Sequence, residues 1–193
     1  MTVGSYLSDA ALFLVDTILG IYILLVLLRF LLQLVRADFY NPISQFIVRA
    51  TNPPLARLRR VIPGLWGIDL AALILLIAME ALRISFTALL LGHNPKFAGV
   101  IFLSLGELAK LGVYIIIFSI FIRALLSWFS NGPRHPISQL LHSFTDPILH
   151  PIRRILPATG GIDLSPLVVF ILIMLALKLI IQPILDLGKT LIL

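Results

Sequence analysis

The sequence predicts an all-α membrane protein: four transmembrane helices arranged as two parallel span-loop-span repeats, with short interfacial amphipathic helices. Three observations predict it. The chain has 193 residues, 60% hydrophobic and 12% charged, where a soluble domain carries about 45–50% and ~25%. Four apolar stretches are each long enough to cross a bilayer, which takes ~20 residues. A long segment of the first half recurs in the second.

The spans predicted are Ala10 to Val35, Asp69 to Leu91, Ala98 to Phe129 and Asp163 to Leu185. The N-terminus carries no basic n-region, and the apolar run behind it exceeds the ~7–15 residues of a signal h-region, so it is expected to stay as a span. Gly92-His93-Asn94-Pro95-Lys96 is a short turn that makes the second and third spans an antiparallel hairpin. The other two connections are long and alike. Residues 29–73 slide onto 123–167 without a gap, at an offset of 94, with 18 identities in 45 positions. Arg29 falls on Arg123, Pro42-Ile43-Ser44-Gln45 on Pro136-Ile137-Ser138-Gln139, and Arg59-Arg60 on Arg153-Arg154. Thr51, Pro53 and Leu55 fall on Thr145, Pro147 and Leu149, and Gly67-Ile68-Asp69-Leu70 on Gly161-Ile162-Asp163-Leu164. Apolar bias alone does not match Pro, Gly, Arg and Asp in register. Residues 1–91 are thus a first repeat, 92–97 the connecting turn and 98–193 a second repeat entering from the same side, which puts both loops on one face.

Charge orients the molecule. The loop from Arg36 to Pro63 is net +4 and the loop from Ser130 to Pro157 net +2, together the whole formal charge of +6. The opposite face has Lys96 and Lys189. By the positive-inside rule both loops lie in the cytoplasm and both termini outside, in a bacterial inner membrane or its organellar equivalent.

In the loops, Ile43, Phe46, Ile47 and Ala50, and likewise Ile137, Leu140, Leu141 and Phe144, stand at helical spacing. Asn41-Pro42 supplies a cap and a first-turn proline, with Pro53 as the stop after about two turns; His135-Pro136 and Pro147 do the same in the second loop. A second short segment follows, Asp146-Pro147-Ile148-Leu149 into Ile152-Arg153-Arg154-Ile155-Leu156. Helices of this kind lie in the headgroup plane, and Arg49, Arg57, Arg59, Arg60, Arg153 and Arg154 form a face for anionic lipid, at about 1 kcal/mol per cation. That face either anchors the loops or docks a membrane or cytoplasmic protein. Pro157-Ala158-Thr159-Gly160-Gly161-Ile162-Asp163 reads as turn and N-cap chemistry opening the last span, and Asp69 opens the second.

The twice-used pattern of Pro-Ile-Ser-Gln, Thr-Asp-Pro-Ile-Leu, Arg-Arg-Ile-Leu-Pro and Gly-Gly-Ile-Asp-Leu-Ser-Pro resembles the YggT family, whose shorter relatives, YlmG and its plastid counterparts, have one copy. The resemblance covers nearly the whole chain and is fullest over residues 145–166, from Asp146 and Pro147 through Gly160, Gly161 and Asp163 to Pro166. The first copy departs at Asn52, at Trp66-Gly67 and at Ala71-Ala72. The resemblance implies an integral membrane protein linked to osmotic or potassium tolerance, to cell division and nucleoid placement, and in plastids to cytochrome assembly.

Three acids and three bases fall in one slab of the spans, away from the loop face. Asp16 and Lys110 are repeat partners, each 13 residues before its arginine and so about 20 Å from the loop face. Glu80, Arg83, Glu107 and Lys178 come to about 16, 21, 24 and 22 Å by the same rise. A lone charge at mid-membrane costs about 2.5–3.5 kcal/mol, so six unpaired would cost on the order of 15–20. They are expected to pair: Glu80 with Arg83 and Glu107 with Lys110 at i, i+3, and Asp16 with Lys110 across the pseudo-axis. Such a layer is either structural glue or an ion or proton path.

Cysteine is absent, which excludes disulfides, thiol catalysis and cysteine metal sites. His93, His135, His142 and His150 share no helical metal-binding spacing. No phosphate loop, nucleophile elbow or HExxH occurs. No cofactor and no enzymatic activity are expected. The high net charge is explained by topology, so nucleic acid is not an expected partner. The leading function is a non-enzymatic membrane scaffold or assembly factor. The alternative is a small ion or proton transporter, for which a homo-oligomer would supply the lumen.

Overall fold

The computed structural model describes residues 3–65, 67–129, 135–156 and 163–192. The elements are α1 (Val3–Leu34), α2 (Pro42–Leu58), α3 (Leu70–Leu90), α4 (Phe97–Phe129), α5 (Pro136–Ile155) and α6 (Ser165–Ala176), which continues through a π-turn (Leu177–Ile181) into α7 (Gln182–Ile192). No β-strand occurs among the described residues. Four helical stretches are long and apolar enough to cross a membrane: Asp9–Leu34, Leu70–Leu90, Phe97–Leu126 and Ser165–Ile192. Their outer faces present Phe13, Ile18, Phe118 and Leu179, each more than 60% exposed, a surface that suits hydrocarbon.

The duplication is visible in the packing. α1 packs on α3, α3 on α4, and α4 on α7, while α2 lies against α1 and α3 as α5 lies against α4 and α6. α2 and α5 touch each other, and the Asn41 side chain donates to the Pro136 carbonyl at 2.8 Å, so both loops occupy one end of the bundle. At the other end the Lys96 N–H donates to the Ile192 carbonyl at 3.1 Å. The turn after α3 closes as expected: Gly92 takes φ 79 and the His93 N–H reaches back to the Ala88 carbonyl. The central core joins Ile23, Val26 and Leu27 of α1 to Leu76 of α3 and to Leu108 and Ile115 of α4, with Phe144 of α5 beneath. Repeat partners Leu55 and Leu149 each seat a loop helix, on Ala71 and Ala72 in one half and on Ile120 and Val169 in the other.

Several expectations are corrected. Pro53 does not stop the first loop helix: α2 runs through Pro53 and Pro54, and α5 through Pro147 and Pro151. Proline's fixed φ suits a helix, and the damage is the lost N–H donor. The carbonyls released here belong to Arg49, Ala50, Ser143 and Pro147, all at least partly exposed, so solvent or headgroups can satisfy them. Each loop therefore carries one helix where two short segments were expected. The buried stripe of α2 is Ser44, Ile47, Thr51 and Leu55, and Phe46 points out, 63% exposed. Asn41 caps α2 through the Ile43 N–H at 3.0 Å, whereas His135 makes no side-chain cap bond.

The last span runs seven residues past the expected end at Leu185. Pro183 has no N–H, and the chain answers with the wider turn before it, in which the Gln182 N–H donates to the Leu177 carbonyl five residues back. Beyond it α7 lies close against α4. A β-carbon on Gly106 would sit 2.6 Å from Leu185 Cδ2, and one on Gly188 2.8 Å from Leu103 Cγ and 2.9 Å from its backbone nitrogen. Small residues thus set the α4–α7 spacing, although no Gly-xxx-Gly pattern announces it. Gly188→Val should destabilise the protein by about 1–3 kcal/mol through overpacking, more than Gly112→Val, whose β-carbon would meet nothing within 4 Å; denaturant titration in detergent measures both.

Candidate functional site

The residues that do most at the loop end are a pair of arginines in the apolar helices α1 and α4. Arg29 is 7% exposed. Its guanidinium donates to Thr51 Oγ1 at 2.9 Å, to the Val48 carbonyl at 3.3 Å and to Asn52 Oδ1 at 3.4 Å. Arg123, its repeat partner, donates to Thr145 Oγ1 at 2.6 Å and to Asp146 Oδ1 at 2.6 Å. Thr51 and Thr145 are fully buried, and each returns its hydroxyl hydrogen to the carbonyl four residues back at 2.7 Å. The arginine is thus the peg that holds each loop helix against its span. Neither was singled out as a site residue in the sequence; the available signal was Arg29 matching Arg123 inside otherwise apolar stretches.

The double arginines divide their labour. Arg59 is paired with Asp69, and Arg153 with Asp163 at 2.8 Å and with Asp146 at 3.7 Å. Arg60 and Arg154 stay exposed, as do Arg49 and Arg57. Of the six arginines expected to face lipid or a partner, these four are exposed with no ion pair among the described residues, while Arg59 and Arg153, themselves more than a third exposed, are bound to the starts of the next helices. Asp69 caps α3 by accepting the Ala72 N–H at 3.2 Å, and Asp163 accepts the Ser165 N–H at 2.9 Å just before Pro166 in the first turn of α6. His142 Nδ1 lies 3.7 Å from Asp146, which makes Asp146 the hub of the second half.

Burial pushes the Asp69 carboxyl up, but hydrogen bonds from Arg59 and the Ala72 N–H, with the charges of Arg59 and Arg29, outweigh it and hold the group below the ordinary carboxylate range. For Asp163, burial is again opposed, by hydrogen bonds from Ser165 and Arg153, and the net direction is down.

The repeated Pro-Ile-Ser-Gln motif is local architecture. Pro42 and Pro136 open the loop helices, Ser44 and Ser138 are buried, Gln45 Nε2 donates to the Tyr40 carbonyl at 3.5 Å, and Gln139 accepts the Ser143 hydroxyl hydrogen at 3.0 Å through its backbone carbonyl. Gly160 and Gly161 lie outside the described residues.

Five of the six intramembrane charges form two groups. Arg83 binds Glu80 on its own helix and Asp16 of α1, the latter at 3.2 Å; Glu80 is 3% exposed. Lys110 binds Glu107 on α4 at 3.2 Å. The expected bond between Asp16 and Lys110 is not formed: Arg83 carries a longer side chain and two faces of donors, and it takes the α1 carboxylate while Lys110 is held by its i−3 neighbour. Lys178, in the π-turn, is exposed and pairs with no acid among the described residues. Asp16, Arg83 and Glu107 do line one cleft of about 480 Å³ at the end away from the loops, together with Thr87, His93 and Lys189. No cluster of three or more metal-ligating side chains occurs among the described residues.

The sequence model of the family described as CCB3/YggT matches the chain twice, over residues 8–90 and 102–184, the same displacement of 94 at both ends. An uncharacterized protein of Pseudomonas aeruginosa is 44% identical over 90% of this chain and 87% of its own length. An uncharacterized protein from the proC 3′ region of Vibrio alginolyticus is 46% identical over 82% and 86%, and uncharacterized protein YggT of Escherichia coli K12 is 39% identical over 83% and 84%. No solved structure matches.

Two measurements follow from this geometry. A carboxyl whose folded pKa is depressed takes its proton only in stronger acid than the unfolded chain needs, so the stabilisation from Asp69 is complete above the ordinary value of about 3.9 and is lost as pH falls through the folded pKa. Asp69→Asn should therefore flatten the loss of stability below about pH 4, read from thermal midpoints across pH in detergent. A double-mutant cycle on Asp16 and Arg83, which meet at 3.2 Å between α1 and α3, should give a coupling of about 0.6–1.7 kcal/mol, the range of polar contacts between membrane helices, whereas Asp16 and Lys110 should be additive.

Proposed function

The chain belongs to the CCB3/YggT family, and from that premise we propose that it works as a non-enzymatic membrane scaffold or assembly factor that presents a rigid basic face to anionic lipid and to protein partners. One observation carries this reading: two duplicated loop helices are pegged to the bundle by Arg29 and Arg123, touch each other through α2 and α5, and leave Arg49, Arg57, Arg60 and Arg154 exposed. A flexible anchor needs no such pegs, because headgroup attraction alone holds a basic segment at a surface. Beside the free arginines stand Tyr40, Phe46, Val61 and Ile155, each more than 55% exposed, the mix of aromatic, aliphatic and guanidinium groups that interfaces favour. With the loops on the cytoplasmic side, as the positive-inside rule places them, the partners are cytoplasmic or membrane proteins of cell division, osmotic response or membrane-complex assembly.

The transport reading rests on the cleft lined by Asp16, Arg83 and Glu107. Five of the six intramembrane charges are held in short ion pairs within or between neighbouring helices, and a permeating ion would have to break them.

Proteoliposomes carrying the purified protein should show potassium and proton flux no higher than empty vesicles. The quadruple variant R49Q/R57Q/R60Q/R154Q, which leaves both loops net positive and with more cations than the opposite face, should insert and fold normally, yet lose the proteins that the wild type retains after crosslinking in native membranes. Flux above background that Lys110→Met abolishes would replace the scaffold by the transporter.

A further inference from the structure

A cavity of about 670 Å³ lies at the loop end of the first half, bounded by the end of α1, by α2 and by the segment before α3. Its charged lining is Arg29, Arg36, Arg59 and Asp69, three cations against one anion. Arg59 is engaged by Asp69. Arg29 is buried with only neutral partners, Thr51, Asn52 and the Val48 carbonyl, and neither it nor Arg36 has a carboxylate within ion-pair distance among the described residues. Asp69 acts on Arg29 at longer range but is already committed to Arg59, so the buried guanidinium has no carboxylate of its own, which is costly unless something supplies one.

Two further features converge on the same space. Ser44 lines the cavity at 6% exposure, and its hydroxyl is one of two buried side-chain groups among the described residues, with Ser165 elsewhere, that have no hydrogen-bond partner, so it is free to donate into the cavity. Arg36 ends α1 at φ 52, the left-handed position that usually falls to glycine. The Ala37 N–H closes the turn on the Leu32 carbonyl at 2.9 Å, and the strained residue is one whose side chain lines the cavity.

The second half shows what is special about the first. At the offset of 94, Arg29, Arg36 and Arg59 correspond to Arg123, Ser130 and Arg153, while Asn52 and Asp69 correspond to Asp146 and Asp163. The second set is two cations against two anions. The surplus of two positive charges in the first set arises at positions 36 and 52 alone.

We propose that this cavity binds a phosphate oxyanion, with Arg29 and Arg36 as its charged donors and Ser44 as a hydroxyl donor. Paired guanidinium groups match the oxygens of phosphate in geometry as well as charge. The group is supplied either by the headgroup of an anionic phospholipid, whose chains would lie along Leu32, Phe39, Ile47 and Ile62, or by a free phosphate ion. The site is distinct from the exposed arginines of the scaffold face and stands or falls without that reading.

The test uses the full chain, purified in detergent and stripped of lipid, titrated separately with short-chain phosphatidate, short-chain phosphatidylcholine and inorganic phosphate. The variant R36S/N52D gives the first half the charge set of the second and should fold, since an acid already stands beside Arg123 there; circular dichroism and the thermal midpoint report its folding. Ser44→Ala keeps the charge and removes the hydroxyl. Wild type should bind one anion per chain, at least about tenfold more tightly than R36S/N52D, with Ser44→Ala intermediate and Asp146→Asn unchanged. Phosphatidate binding that inorganic phosphate does not compete away assigns the site to a lipid headgroup; saturable binding of inorganic phosphate alone assigns it to the free ion. Equal affinity of wild type and folded R36S/N52D, equal binding of phosphatidylcholine and phosphatidate, or no saturable binding of any probe would overturn the proposal.

Discussion

A guanidinium placed in an apolar helix must be given partners, and that requirement organises both halves of the molecule. Arg29 and Arg123 sit near the loop ends of α1 and α4, and each draws in the same buried threonine and the residue after it. The threonine can serve only if its helix lies flat against the span with Leu55 or Leu149 seated beneath. The Arg59–Asp69 and Arg153–Asp163 pairs then join the far end of each loop helix to the start of the next span. What is a connecting loop by position is a structural element by energetics, because leaving the arginine unsatisfied costs several kcal/mol.

Duplication followed by unequal change explains where the halves differ. In the second half Asp146 gathers Arg123, Arg153 and His142 into one balanced cluster. In the first, Asn52 stands in that place and makes only a 3.4 Å contact with Arg29. One missing carboxylate thus separates a closed electrostatic unit from an open one. Sequence comparison between the halves exposes this directly, while comparison of either half with a general pattern merely marks Asn52 as a departure.

The architecture was legible because it rests on quantities a sequence carries openly: apolar length, a gapless repeat and the side on which cations collect. The i, i+3 pairs Glu80–Arg83 and Glu107–Lys110 follow from helical spacing and were equally readable. What the sequence hid were choices between partners in space. Arg83 reaches Asp16 where Lys110 was expected, because the outcome depends on side-chain reach across the α1–α3 contact. The continuous loop helices were obscured by Pro53 and Pro147, whose cost depends on whether the released carbonyls face solvent, a matter of rotation about the helix axis. Arg59 and Arg60 are both exposed in the turn after α2, and only Arg59 reaches Asp69, a choice of partner that adjacent identical residues do not announce.

The π-turn at Leu177–Ile181 has a geometric consequence for the last span. Before it the buried residues are Ser165 and Val169; at its last position and beyond they are Ile181, Leu185 and Gly188, a progression that slips ahead of regular helical phase by about one residue. The slip rotates the terminal three turns so that Gly188 meets Leu103 and Leu185 meets Gly106. The two halves are therefore superimposable in phase only up to the middle of their final helices. Winding these same residues as an unbroken regular helix would swing the wrong flank toward its neighbour, whereas removing one residue from the wide turn would restore ideal winding and leave Leu185 and Gly188 on their faces.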